Sequence, residues 1–131
     1  MKDLVPGDFP LAVKRSKTGL GLFAKAPIAK GAIITEYTGR TLTDAETYTC
    51  NSKYLFEVHS RKTIDGAARD NKARYINHSC KPNCEPVIRN GRVFIKALTP
   101  IKEHEELTYD YGEEYFIEHI RPRGCRCVKC G

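Results

Sequence analysis

The stretch Arg74-Tyr75-Ile76-Asn77-His78-Ser79-Cys80-Lys81-Pro82-Asn83-Cys84 places an Asn, a His and two Cys within eight residues. Three chemistries use such a set: a Cys/His nucleophile, a metal site, or a pocket floor that holds a cofactor. The nucleophile reading is the poorest. His78 and Cys80 stand two apart, whereas a catalytic Cys/His pair normally comes from separate parts of a chain, and no third group is evident to orient the His. The other two readings depend on what the rest of the chain supplies.

The rest supplies cysteines first. The 131 residues carry six of them and suit one compact domain. The start, MKDLVPGDFPLAVK, lacks an apolar core of the signal-peptide kind, and no apolar run reaches membrane-spanning length. The expected compartment is therefore intracellular and reducing, where clustered cysteines point to metal before disulfides. Cys125, Cys127 and Cys130 in GCRCVKCG form C-x-C-x2-C. Three thiolates this close can hold one face of a metal, but tetrahedral zinc takes four ligands. Cys50, Cys80, Cys84 and the histidines are candidates for the fourth. Four thiolates would close the shell and make the zinc structural.

Charge is uneven. Net charge is +6, with eleven Lys/Arg against four Asp/Glu between Lys53 and Lys102. Between Glu103 and Glu118 there are seven acids and no Lys or Arg. A basic face suits nucleic acid or phosphate. The acidic block suits a cationic substrate, or is solvated surface.

Strand-like runs are Leu11–Arg15, Ala32–Tyr37, Lys53–Val58 and Glu106–Tyr111. PVIRNGRVFIKA reads as a hairpin, with Asn90-Gly91 as a two-residue type I′ turn. Thr43 and Glu46 have capping-box spacing, which predicts a short helix after Leu42. ARDNKARYIN predicts another helical turn or two. Many short strands and few helices give a β-rich fold. There is also an internal echo. Phe23–Gly39 and Phe94–Gly112 each run Phe-x-Lys-Ala, Pro-Ile, a charged turn, a strand with Thr and Tyr, then Gly. The echo suggests two similar β-units.

GLGLFA, Gly19–Ala24, has the outline of a dinucleotide fingerprint, G-x-G-x-x-A. That motif needs a following helix, and Pro27 and Gly31 deny it one. The glycines still let backbone approach a ligand. Tyr109 and Tyr111 in ELTYDYG share one strand face. With Tyr37 and Tyr54 they could line a narrow channel for an alkylammonium.

GLG, EYTG, RYINHSCKPNC and ELTYDYG, in this order and spacing, resemble the SET-domain protein lysine methyltransferases, and CRCVKC resembles that family's post-SET zinc motif. The resemblance runs from about Ala12 to Cys130. It implies a mainly β fold with short helices, the β-clip/SET fold, with several small sheets around a pseudoknot. It implies a SET domain at residues 1–118 and a post-SET tail at 119–131; the lack of a cysteine-rich pre-SET region is a departure from the family. It implies S-adenosylmethionine as cofactor, approached by Gly19, Leu20 and Gly21 and held by Asn77, His78, Arg74, Tyr111 and Phe116. Tyr111 would be the catalytic tyrosine, Tyr37 and Tyr109 would line the lysine channel, and structural zinc would join Cys80 to Cys125, Cys127 and Cys130, leaving Cys84 over.

The tail departs from the family's common C-x-C-x4-C, which tightens the metal loop. A phenol at Tyr109 leaves little room for a methylated amine and implies mainly monomethylation. The implied partner is a protein with its target lysine in a Lys/Arg-rich context, such as a histone tail, in the cytoplasm or on chromatin, without membrane and with nucleic acid an unlikely direct substrate. The alternatives are a non-catalytic SET-like module that binds basic peptides or nucleic acid, and a small zinc-dependent nucleic-acid binder. Retention of Tyr37, Asn77, His78 and Tyr111 argues against the first. The tyrosine-bearing strand is unexplained by the second.

Overall fold

The structure is a computed structural model and describes residues 5–16, 19–43, 45–46, 55–59, 62–68 and 70–111. Ten strands are described: β1 (Leu11–Ser16), β2 (Gly19–Ala24), β3 (Ile33–Tyr37), β4 (Arg40–Leu42), β5 (Leu55–His59), β6 (Lys62–Asp65), β7 (Asn77–His78), β8 (Cys84–Arg89), β9 (Arg92–Ala97) and β10 (Thr108–Tyr109). One 3₁₀ turn, Lys72–Tyr75, precedes β7. The strands make four small sheets: β1-β2, β3-β9-β8, β4-β6-β5 and the pair β7-β10.

The expected hairpin is present. β8 and β9 pair from Cys84↔Ala97 to Arg89↔Arg92. Asn90 and Gly91 turn the chain with φ of 53° and 74°, as a type I′ turn requires. Lys62 Nζ donates to the Gly91 carbonyl at 2.7 Å and ties the hairpin tip to β6. The capping box also forms. Thr43 N donates to Glu46 Oε1 at 3.0 Å and Glu46 N donates to Thr43 Oγ1 at 3.1 Å. The expected turn in ARDNKARYIN is the 3₁₀ segment.

Two readings change. Gly19–Ala24, absent from the strand-like runs of the sequence, is a strand, because β1 supplies a full antiparallel ladder from Leu11↔Ala24 to Ser16↔Gly19. Pairing overrides the low strand propensity of glycine. Glu106–Tyr111, read as one strand, pairs as a strand only over Thr108–Tyr109. Its first residue pairs with Phe23 on β2, while Thr108 and Tyr109 pair in parallel with Asn77 and His78 on β7. One segment thus serves two partners. This parallel contact joins the Asn77–Cys80 and Glu106–Tyr111 motifs.

The core lies under β9. Val93, Phe94, Ile95 and Ala97 are all buried, with Leu22 and Ala24 from β2, Ile28, Ile76, Ile101 and Leu107. A large apolar side chain buried this fully is worth about 1.5–3 kcal/mol. Cys84 is also fully buried, and burial pushes its thiol up to about 12. It is a small apolar core residue.

The internal echo has a structural counterpart. Ile28 and Ile101 exchange both backbone hydrogen bonds at 2.8 Å. Gly31 N donates to Ala97 O at 2.8 Å, and His104 N donates to Ala24 O at 2.7 Å. Ala97 N donates to Ala32 O, and Ala24 N to Glu105 O. The turns match as well: Ala32 N donates to Ala29 O, and Glu105 N to Lys102 O, both at 3.1 Å. Each bond has its image at one constant separation along the chain. The two units therefore pair about a local two-fold axis that passes between Ile28 and Ile101.

Candidate functional site

The site forms where the second unit meets β7. Tyr111 N donates to His78 Nδ1 at 3.2 Å, and the Tyr111 hydroxyl donates to the Ile76 carbonyl. The Tyr111 ring lies 5.4 Å from the His78 ring and 4.9 Å from the Tyr109 ring, centroid to centroid. Ser79 N closes the parallel pair on Tyr109 O at 3.2 Å. Both ends of Tyr111, its amide and its phenol, are thus fixed to residues of the opening motif.

His78 is held in one tautomer. Because Nδ1 accepts from Tyr111, a neutral ring carries its proton on Nε2. Burial lowers the His78 pKa, and Asp110, with a carboxylate oxygen 3.8 Å from Nδ1, pulls it partly back. The Nε2–H then faces Cys80 Sγ at 3.4 Å.

Asn77 ties β7 to the Gly-rich strand. Its Nδ2 lies within hydrogen-bond distance of three acceptors for its two N–H groups: Leu20 O at 3.0 Å, Glu106 Oε2 at 2.8 Å and Ser16 Oγ at 3.1 Å. Gly19 has φ of 121° with open space around it, and Leu20 is about half exposed. Gly21 differs. A Cβ there would meet the Glu106 carboxylate, so its missing side chain accommodates Glu106.

Tyr37 is buried, 5.3 Å from the Phe56 ring, with its own ring against Gly66. It shares the core cluster with Tyr109, and Tyr111 packs on that cluster. Arg74 is engaged with the Ala67 carbonyl through Nη1 and lies over the Tyr75 ring at 5.0 Å. The structure therefore brings Asn77, His78, Cys80, Tyr109 and Tyr111 together with Leu20 and Gly21. Tyr54, Cys50, Phe116, Cys125, Cys127 and Cys130 lie outside the described residues. Among the described residues no group of three or more His, Cys, Asp or Glu is set to hold a metal.

Three supporting residues escaped the sequence reading. Asn71, 1% exposed, accepts from Thr38 N at 3.1 Å and donates to Gly66 O at 3.0 Å. Asn83 accepts from Thr108 N at 2.8 Å and donates to Glu106 O at 2.8 Å and Glu105 Oε2 at 2.9 Å. Glu106 was read as one acid in a surface block. Glu105 and Glu106 are both committed inside the fold, Glu105 also accepting from Lys102 N at 3.1 Å. Asparagines in tight turn-rich segments are the available signal, but nothing in the sequence says which face inward.

The SET domain family model matches residues 19–112. Histone-lysine N-methyltransferase trithorax of Drosophila virilis is 36% identical over 124 residues, covering 86% of this chain and 3% of that protein. Histone-lysine N-methyltransferase ash1 of Drosophila melanogaster is 38% identical over 121 residues, covering 83% of this chain and 5% of that protein. Among solved structures, polycomb repressive complex 2 of Chaetomium thermophilum in an autoinhibited conformation bound to S-adenosylmethionine matches at 30% identity and a TM-score of 0.73. That match covers 81% of this chain and 15% of the other. The chain spans only a small part of the length of these relatives. With four small sheets, the β7-β10 pair and the motifs in place, the chain belongs to the SET-domain family.

Proposed function

We propose that this chain is an S-adenosylmethionine-dependent protein lysine N-methyltransferase. The observation that carries the reading is the double fixing of Tyr111 on the β7-β10 pair, beside Asn77 and the Gly19–Gly21 backbone. The residues present fit the cofactor: Asn77 turns its nitrogen to the protein, and its Oδ1 has no protein partner among the described residues. That oxygen is an acceptor for an ammonium, as the cofactor's amino-acid portion carries. When bound, S-adenosylmethionine supplies an electrophilic methyl group.

The chain's own residues do the rest. The Tyr111 hydroxyl donates its hydrogen bond to the Ile76 carbonyl, which leaves the oxygen's lone pairs to accept an N–H of the attacking lysine and fix its direction. The lysine attacks as a neutral amine, although free lysine has a pKa of about 10.4. Desolvation in the narrow channel disfavours the ammonium, as would the positive charge of the bound cofactor, so its proton leaves to solvent before transfer. Tyr37 lines that channel. Tyr109, 6% exposed, crowds the same space beside Tyr111. Mainly monomethyl product is expected. Tyr109→Phe should raise the di- and trimethyl fraction by mass spectrometry, and abundant trimethyl product from the unmutated enzyme would overturn this.

A zinc role for Cys80 is part of the proposal. The Nε2–H of His78 facing Sγ is a donor suited to a ligating thiolate. Cys125, Cys127 and Cys130 would complete the tetrahedron, and metal analysis of the purified chain should find one zinc per molecule, lost in Cys127→Ser. The relatives' names support a histone-type substrate on chromatin. Glu103 and the acids that follow Gly112 in the sequence would attract a basic peptide.

Calorimetric titration with S-adenosylmethionine tests the core of the reading. Saturable one-to-one binding, weakened in Asn77→Ala, is expected. Absence of binding in folded, zinc-loaded protein would favour the non-catalytic module.

A further inference from the structure

We propose that Glu106 is a positioning residue for the cofactor site, acting through the side-chain amide of Asn77; this rests on the methyltransferase reading above. The amide of Asn77 has two N–H donors and one carbonyl acceptor, and either end can face the protein. Two of its three neighbours accept only. The Leu20 carbonyl and the Glu106 carboxylate lie 3.0 and 2.8 Å from the same amide atom. If the amide were flipped, its oxygen would face a carbonyl and a carboxylate at contact distance. The Leu20 carbonyl and Glu106 therefore set the orientation together, and the charged carboxylate is the stronger of the two. Leu20 alone satisfies one N–H, and the Ser16 hydroxyl at 3.1 Å accepts either end of an amide. The charge-assisted bond to Glu106 takes the second N–H and excludes the flipped state.

The surroundings are built for this carboxylate. Gly21 is buried, and a Cβ on it would run into Glu106 Oε2 and approach Glu106 Cδ to 3.0 Å. The Glu106 backbone is held by its bridge to Phe23 and by the bond from Asn83 Nδ2 at 2.8 Å. The second glycine of the Gly-x-Gly motif thus makes room for the residue that sets the amide, and the ligand meets the outward Asn77 Oδ1 as a fixed acceptor. The group recognised is the α-ammonium of the cofactor's amino-acid portion.

The test is calorimetry with two thioethers, S-adenosylhomocysteine and its analogue with hydrogen in place of the α-ammonium. Glu106→Ala is expected to weaken S-adenosylhomocysteine about tenfold, the loss of one charge-assisted bond, and to leave the deamino analogue unchanged. Glu106→Gln keeps an acceptor for Nδ2 and should restore affinity to within about threefold. In an Asn77→Ala background, Glu106→Ala should add nothing. Gly21→Ala, which displaces the carboxylate without removing it, should reproduce the selective loss, and it carries the test if Glu106→Ala does not fold. Equal weakening of both thioethers would make Glu106 a general structural residue. Gln as poor as Ala would mean that the carboxylate reads the cation directly. Either result overturns the proposal. Failure of the unmutated chain to bind either thioether overturns the methyltransferase reading instead.

Discussion

The unit from Phe23 to Gly39 and the unit from Phe94 to Tyr111 share one backbone plan and end differently. Around Ile28 and Ile101 their hydrogen bonds are images of one another. Beyond the turn they part. The first unit runs on as β3 and pairs with β9 from Ile33 to Tyr37. The second pairs at Glu106 with Phe23, then leaves for β7 and keeps only Thr108 and Tyr109 in a ladder. The first tyrosine, Tyr37, is locked in the core against Phe56 and Gly66. Tyr111 stands past the end of its strand, half-buried, and is fixed by His78 and Ile76. A strand that stops early leaves side chains at its end for chemistry; a strand that pairs fully uses them for packing.

The largest expected effect separates the two tyrosines. Tyr111→Phe should cut methyl transfer by roughly 10²–10³, the scale of losing one transition-state hydrogen bond in a preorganised site, with cofactor affinity little changed. Tyr37→Phe should cost much less. Comparable losses in single-turnover assays would erase the division of labour between the units.

Next come the asparagines that pin each unit's end, Asn71 at Thr38 and Asn83 at Thr108. Asn71→Ala leaves the buried Gly66 carbonyl and the part-buried Thr38 N–H without their Asn71 bonds and should cost roughly 2–3 kcal/mol. Asn83→Ala, less buried, should cost roughly 1–2 kcal/mol. Denaturant melts check both, and the reverse order would mean that the second unit carries more of the stability.

The turns give a smaller contrast. Gly31 and His104 are images of each other, with φ of 87° and 71°. Histidine in this left-handed region carries a cost of roughly 1–2 kcal/mol that glycine avoids. Gly31→Ala should lower stability by about 1 kcal/mol, and His104→Gly should raise it by up to about 1 kcal/mol. Equal and opposite shifts in melting temperature would confirm that the turns are interchangeable.

The smallest effect concerns Cys84, at the root of the hairpin. Its folded-state pKa is raised to about 12, chiefly by burial. A raised pKa means the folded state holds its proton longer. The associated stability is complete below the unfolded thiol's pKa and is lost as pH rises from about 9 toward about 12. At pH 8, alkylating reagents should leave Cys84 unmodified until the chain unfolds. Rapid labelling in the native state would contradict its burial.

Much of this was legible in the sequence, for identifiable reasons. Asn90-Gly91 and the Thr43/Glu46 box announce themselves because their backbone geometry needs those residue types. The motif RYINHSCKPNC marked the site because its residues sit next to each other in the chain. Gly19–Ala24 does not stand out as a strand in the sequence because its strand character comes from β1 and not from its own composition. Glu106 was misread for a related reason. An acid among acids looks solvated, and only the bridge to Phe23 and the bare Cα of Gly21 turn it inward. Signals that need one residue and its neighbours are readable; signals that need a distant partner are not.

The parallel pairing of Asn77 with Thr108 also sets an order of events in folding. No tight turn can join two parallel strands, so this contact must wait for the chain between them. The intervening β8-β9 hairpin closes locally around Asn90-Gly91 and can form on the microsecond scale of hairpins. Only when it has done so are the two short strands brought within reach, with loop-closure entropy already spent. Two residues of ladder nucleate nothing by themselves. The site around Tyr111 and His78 is therefore assembled by the completed scaffold, and an amide there should exchange with solvent before those of β9 do.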